Sequence, residues 1–490
     1  RNVREWDEVA AEATRNKKEV QFGYLFGICV EKGSELPKFL PDGKTRNPGR
    51  KFKGRVVFQG NRVVNQNWEA AVFQDLGNSP ATMDASRAAD CYGCFPGNKT
   101  EIADAIQAYI QARLKGNKCW ICLPPDRRPP AAAGMRKPVV ELLQALYGHP
   151  DSGSFWEEHC DKCCKEAGFV PLGIEWPSTY HHPALGLFLV VYVDDFKLSG
   201  PAENLAKGWA LLGKTLSIDR ETGHGQYLGC GHEPGQFTMP DGGVATSVSY
   251  NMESFWDSCV ERYKDLAGPN VRIKDVPTPF LVEDSEKGPA GAPCATGPIT
   301  ECTWCAHTFT PTVYKNLDEL NKHSKKEVPT GTDLSGEDSP CGGNSAASEK
   351  TQIKGRLAEH AACILMKCLY GARMARFDLL RAITSLACQL TRWTPECDRK
   401  LHRLMCYIHT SKHLRMIGYV GNSLKEVEPH LFADADFAGC KATQRSTSGL
   451  HLCIRGTKTC FPIAGQSKCQ GCVSHSTPEA EIVAADFGLR

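Results

Sequence analysis

The run Gly186-Leu187-Phe188-Leu189-Val190-Val191-Tyr192-Val193 stops at two adjacent carboxylates, Asp194-Asp195, and resumes as Phe196-Lys197-Leu198-Ser199-Gly200. An uncharged stretch rich in β-branched and aromatic side chains suits a strand covered on both faces, and an Asp pair suits a turn. The spacing therefore predicts a buried β-hairpin with acid at its tip. Neighbouring carboxylates are costly to desolvate unless a cation lies beside them. Either a divalent metal binds at this turn or the turn is an exposed loop in water, and the local pattern leaves both readings open.

A chain of 490 residues has room for several domains, and 23% charged with 41% hydrophobic residues describes a folded globular protein rather than a disordered one. The longest apolar run, Ala184 to Val193, is of core-strand length and too short to span a bilayer, so no membrane partner is expected. The opening Arg1-Asn2-Val3-Arg4-Glu5-Trp6 resembles no signal peptide and lacks a starting Met, so the chain reads as a piece of a longer polypeptide. Its 24 cysteines are scattered through apolar segments. That predicts buried free thiols and an intracellular setting, cytoplasmic or nuclear. With a formal net charge of only +2, affinity for nucleic acid has to come from local patches.

One patch lies between Gly43 and Trp68, where Lys44, Arg46, Arg50, Lys51, Lys53, Arg55 and Arg62 occur without an acidic residue. Within it, Phe52 to Phe58 alternates like a strand, which places Lys53 and Arg55 side by side on one face. Two adjacent cations suit a polyphosphate or a nucleic-acid backbone; a solvated face is the other explanation. A further acid, Asp104, sits inside the apolar stretch Glu101 to Ile110 and needs a partner or a metal. It is the natural third carboxylate for the Asp194-Asp195 turn.

Periodicity predicts a charged helix over residues 5 to 20, strands at Gln21 to Val30 and Cys119 to Leu123, and helices at Val139 to Tyr147, Ser154 to Gly168, Asn204 to Leu216 and Ser249 to Ala267. Glu283 to Lys350 has the composition of an insertion or linker. Apolar helix returns at Gly355 to Arg392. Thr394-Pro395 then caps a helix whose stripe is Leu401, Leu404, Met405 and Ile408. Leu431 to Gly456 reads as β-structure and Thr477 to Arg490 as a helix. The histidines His159, His181 and His182 read as surface or core residues.

Five blocks in order carry a resemblance: Phe52-Lys53-Gly54-Arg55-Val56-Val57, Ala145-Leu146-Tyr147-Gly148 before Phe155-Trp156, Val191-Tyr192-Val193-Asp194-Asp195, Gln226-Tyr227-Leu228-Gly229, and Asp434-Ala435-Asp436-Phe437-Ala438-Gly439 with Arg445-Ser446-Thr447-Ser448-Gly449. Together they resemble the reverse transcriptase and ribonuclease H region of a Copia-type retrotransposon polyprotein. The resemblance implies an α+β fold: a right-hand polymerase with fingers and palm over 1–240 and a thumb-like helical segment over 241–282. After the insertion, 283–350, it implies a helical connection over 351–425 and a partial, truncated ribonuclease H-like α/β domain over 426–490.

The implied activity is RNA-directed DNA polymerisation from dNTPs on an RNA template and DNA primer, with an RNA-DNA hybrid as product. Asp104, Asp194 and Asp195 would be the catalytic carboxylates that bind Mg2+ (or Mn2+). Lys53 and Arg55 would hold the triphosphate, and Tyr109 would lie beneath the sugar and disfavour a 2′-hydroxyl. Two departures stand out: His149-Pro150-Asp151-Ser152-Gly153-Ser154 replaces the template-seating Gln-Ala-Pro-Arg-like segment, and Ala105-Ile106-Gln107 is atypical. A decayed, nucleic-acid-binding remnant is the alternative.

In the C-terminal part, Asp434 and Glu479 would be the first two ribonuclease H ligands, with Asp436 and Glu481 as nearby alternatives. The chain ends before a later strand supplies another Asp, so hybrid cleavage is not expected. The insertion carries Cys302-Thr303-Trp304-Cys305 and His323, three ligands of a possible Zn2+ site, with His307, Cys341 or Cys294 as a fourth.

Overall fold

The computed structural model describes residues 3–33, 37–73, 79–280, 300–301, 308–309, 354–440 and 443–489. Cys302, Cys305 and His323 lie outside them, as do His307, Cys341 and Cys294. The described chain is mixed α+β, built on several sheets. No helix among the described residues is long and apolar enough to cross a membrane.

The first sheet runs in the order Arg4–Glu5, Pro138–Leu142, Lys118–Cys122, Val20–Lys32, Lys51–Phe58. Its inner end is sealed by Trp6, Phe22 and Val139, all fully buried. Its outer end is the hairpin of Val20–Lys32 with Lys51–Phe58, which leaves the core and exposes Phe26, Val30, Phe52 and Val56. The helix expected at Val139 to Tyr147 is not formed: Pro138–Leu142 is a strand paired with Lys118–Cys122. Val139 and Val140 are β-branched, and the adjacent strand offers them ladder hydrogen bonds that a short local helix cannot match.

The second sheet is antiparallel, ordered Asn98–Asp104, Asp195–Pro201, Leu187–Tyr192, Thr179–His182, Val170–Pro171. Its central hairpin is covered on both sides, as the uncharged run predicts. On one face Leu187, Leu189, Val191, Phe196 and Leu198 pack with Trp156, Cys160 and Leu212 from helices Ser152–Glu166 and Ala202–Leu212. On the other, Val190 meets Ala85 and Ala89 of the helix Met83–Gly93. Buried thiols such as Cys160, Cys164 and Cys368 are free and sit in apolar packing.

A third sheet has seven strands, ordered Gln226–Tyr227, Cys230–Thr238, Val244–Asn251, Met416–Val420, Thr459–Cys469, Thr447–Gly456, Glu428–Asp436. Residues 249–251 therefore belong to a strand, and the helix expected from Ser249 starts at Glu253. This one sheet crosses both the 240/241 and the 425/426 boundaries read from the sequence. Helices Glu253–Ala267, Ala361–Ala375, Leu380–Ala387 and Pro395–Ser411 form the largest apolar core against it. The expected stripe Leu401, Leu404, Met405 and Ile408 is fully buried there, and Thr394 Oγ1 accepts a hydrogen bond from Cys397 N at 3.4 Å. Arg87 ties the second and third sheets together: its guanidinium donates to the carbonyls of Arg373, Met374 and Ile463.

Candidate active site

At the head of the central hairpin, Tyr192 pairs with Asp195, so Val193 and Asp194 are the whole turn. Val193 has φ 57°, a left-handed conformation that a β-branched residue rarely adopts. The surroundings hold it there. Trp156 Nε1 donates to the Val193 carbonyl at 2.7 Å, and Ala105 N donates to the Asp194 carbonyl at 2.7 Å. Across the neighbouring ladder, Asp195 stands directly opposite Asp104, which puts the two side chains on the same face. The structure thus brings together the three acids that the sequence suggested as a set.

Their electrostatics agree with that proximity. The Asp195 carboxyl is pushed up to about 7, by burial first, then by the charges of Asp194 and Asp104 and by a hydrogen bond shared with Asp104. Lys32 works in the opposite direction. Burial and the charge of Asp194 raise the phenols of Tyr109 and Tyr147, whose rings meet edge to face with centroids 4.7 Å apart. The Arg55 guanidinium lies over the Tyr147 ring, 5.4 Å from its centroid. Arg55, Tyr147, Tyr109 and Asp194 therefore occupy one neighbourhood.

The outer hairpin sorts its cations by face. Pairing of Ile28 with Arg55, Val30 with Lys53 and Lys32 with Lys51 places Lys32, Lys51, Lys53 and Arg55 on one side. Glu31 is on the other side, where it binds Arg50 and Arg46; their hydrogen bonds hold its carboxyl down at about 2. The basic run thus contains two populations. Arg46 and Arg50 are neutralised locally, whereas the Lys53/Arg55 face looks toward the acids. Lys32 and Tyr147 were not singled out from sequence. Lys32 lies on the partner strand, outside the basic run, and Tyr147 was legible only as a member of the Ala145 to Gly148 block.

A second group was missed altogether. Below the acids, Lys197 Nζ reaches Asp90 Oδ1 and Oδ2 at 2.8 and 2.9 Å and Ser86 Oγ at 2.8 Å. His232 Nδ1 and the Tyr250 hydroxyl each lie 3.0 Å from Asp90 Oδ2. All are buried. The available signal was Lys197 itself, an ammonium between Phe196 and Leu198 in a buried strand, which requires a buried counter-charge.

In the C-terminal part, Ala433 and Ala435 pack against Ala480 and Ala484 of the helix Thr477–Leu489. Strand alternation puts Asp434 and Asp436 on the opposite face. Asp436 pairs with Arg381 at 2.7 Å, and Glu479 accepts from His475 N at 2.7 Å. The segment His149 to Ser154 is anchored by His149, which is buried between the rings of Phe58 and Phe73.

Among the described residues, no group of three or more His, Cys, Asp or Glu side chains is arranged so that it could hold a metal ion. The chemistry of the trio nonetheless fits a hard divalent cation. Burial and the charges of Asp194 and Asp104 raise the Asp195 carboxyl, the effect that a neighbouring cation would relieve, and carboxylates are the oxygen donors that Mg2+ prefers. No family model matches the chain, and no curated protein matches it in sequence.

Proposed function

We propose that this chain is a nucleotidyltransferase, an RNA-directed DNA polymerase of the Copia type, with its reaction centre at Asp104, Asp194 and Asp195. The observation that carries the reading is the Asp195 to Asp104 register, which sets opposed carboxylates beside the acid of a strained hairpin turn. In this reading the second sheet is the palm, the outer hairpin of the first sheet belongs to the fingers, and the helix Glu253–Ala267 belongs to the thumb.

Asp104 and Asp194 would hold Mg2+, with Asp195 as third ligand. Bound there, Mg2+ supplies Lewis-acid polarisation of the attacking 3′-hydroxyl and of the leaving phosphate oxygens. Lys53 and Arg55 bind the triphosphate as an exposed cationic pair on one strand face. The Tyr109 ring, braced edge-on by Tyr147, would lie beneath the sugar and disfavour a 2′-hydroxyl. Template, primer and hybrid contacts are expected to depend steeply on salt, because they run through phosphates.

Primer extension on an RNA template with Mg2+ tests the reading. Wild type is expected to extend the primer, and Asp194→Asn to abolish extension without changing template binding. Template binding with no extension by wild type would instead support the non-catalytic remnant.

A further inference from the structure

The first sheet carries a mismatch at one end. Arg113 stands opposite Gln144 and Cys119 opposite Leu142, so six positions on one side answer two on the other. The extra residues must bow outward. Gly116, with φ 79°, turns the bow, and its base is fixed where Leu114 N donates to the Leu143 carbonyl at 3.0 Å and Ala145 N to that of Ala112 at 2.9 Å. Between the bow and the end of Pro138–Leu142 lies a cleft of about 470 Å³, within the range of small-ligand sites.

Its lining combines cations with apolar surface. Arg113, Lys115 and Lys118 accompany a single acid, Glu141, and the bow Arg113-Leu114-Lys115-Gly116-Asn117-Lys118 contains no acid of its own. The two lysines are in exposed ion pairs, Lys118 with Glu141 at 3.1 Å and Lys115 with Glu158 of the helix Ser152–Glu166 at 2.5 Å. Such pairs hold their partners weakly. The Arg113 guanidinium has no hydrogen-bond or ion-pair partner among the described residues. Leu143 in the lining is 65% exposed, and Leu114 and Leu142 extend that apolar surface.

Three cations against one acid match a dianion better than a monoanion, and a phosphate monoester near neutral pH approaches a dianion. A guanidinium fork binds it through two parallel hydrogen bonds. We propose that this cleft binds a nucleoside phosphate, Arg113 and the two lysines taking the phosphate and the leucines taking the base. The site stands apart from the polymerase reading, since none of the acids or cations named there lines it. The phosphate belongs either to a free nucleotide or to the 5′ end of a strand, two sources with one chemistry.

The test is equilibrium dialysis of the full chain against labelled adenosine 5′-monophosphate, in EDTA so that no divalent cation takes part. Wild type is expected to bind with a dissociation constant below about 1 mM, and adenosine at least about 10-fold more weakly. Arg113→Gln is expected to lose about 10-fold or more with an unchanged urea midpoint, because the side chain is exposed. Arg127→Gln, an equal loss of charge outside the cleft, is expected to bind as wild type does. Competition by a 5′-phosphorylated oligothymidylate but not by its 5′-hydroxyl form assigns the site to a strand end, and competition by neither assigns it to free nucleotide. Competition by both forms overturns the inference, because internal phosphodiesters then suffice. No binding below about 1 mM, adenosine bound as tightly as its monophosphate, or Arg113→Gln within about twofold of wild type also overturns it.

Discussion

Asp90 and Asp195 are two acids on the same side of one sheet, and their fates are opposite. Burial pushes the Asp90 carboxyl up, but Lys197 and then His232 outweigh it and hold the group below the usual carboxylate range. Asp195 is less buried and has no such partner; burial and two neighbouring carboxylates push it up to about 7. Lys197, only two residues along the strand, gives its charge to Asp90. The difference is between an acid that the chain neutralises with its own lysine and one whose charge it leaves largely uncompensated. On the proposed reading, a site that binds and releases a metal would not be neutralised permanently by a lysine.

The largest effect that tests this contrast is expected at Lys197. Lys197→Met leaves Asp90 buried beside His232 and Tyr250 without its ammonium, which costs about 3–5 kcal/mol in urea unfolding. A loss below about 1 kcal/mol would mean that Asp90 is not compensated by Lys197, and the comparison would break.

A smaller effect is expected from the histidines that burial keeps neutral. His232, in the Asp90 cluster, and His149, beneath the outer hairpin, are both held down to about 4. The unfolded chain takes up those protons near pH 6.5, before the folded chain does. Stability is therefore complete above about pH 6.5 and is lost as pH falls toward 4, by at most about 3 kcal/mol per histidine. His149→Gln and His232→Gln should each flatten part of that slope, read from chemical denaturation at successive pH values.

The smallest is expected at Asp195, which is only partly buried. Its folded-state proton is held up to about 7, whereas the unfolded chain releases it near 4. The folded state thus binds more protons across that window, and stability declines as pH rises from about 4 to 7 before levelling. Asp195→Asn in a chelating buffer should remove this decline and raise the thermal midpoint at pH 8. An unchanged profile would show that the three acids do not repel one another.

Much of this was legible because it is local. The uncharged run before Asp194 became a strand buried on both faces, and Thr394 became the cap of a helix whose stripe is buried. Alternation from Phe52 to Phe58 placed Lys53 and Arg55 together. The segment from Val139 misled because periodicity in a short apolar stretch serves helix and strand alike, and the decision came from Cys119 to Cys122 lying alongside. The sheet that joins Val244–Asn251 to Met416–Val420 was invisible for the same reason.

What the sequence alone determined was the hairpin, the acid at its tip and the cationic strand face, since each depends on neighbours a few residues away; that the turn is Val193-Asp194, with Asp195 already in the ladder, came from the structure. Only the tertiary structure decided that Asp104 faces Asp195 and that Lys197 belongs to Asp90. Asp104 and Asp195, and likewise Lys197 and Asp90, are about a hundred positions apart in the chain, yet adjacent in space. Charge compensation acts through distance in the folded molecule, and a linear pattern holds no record of it.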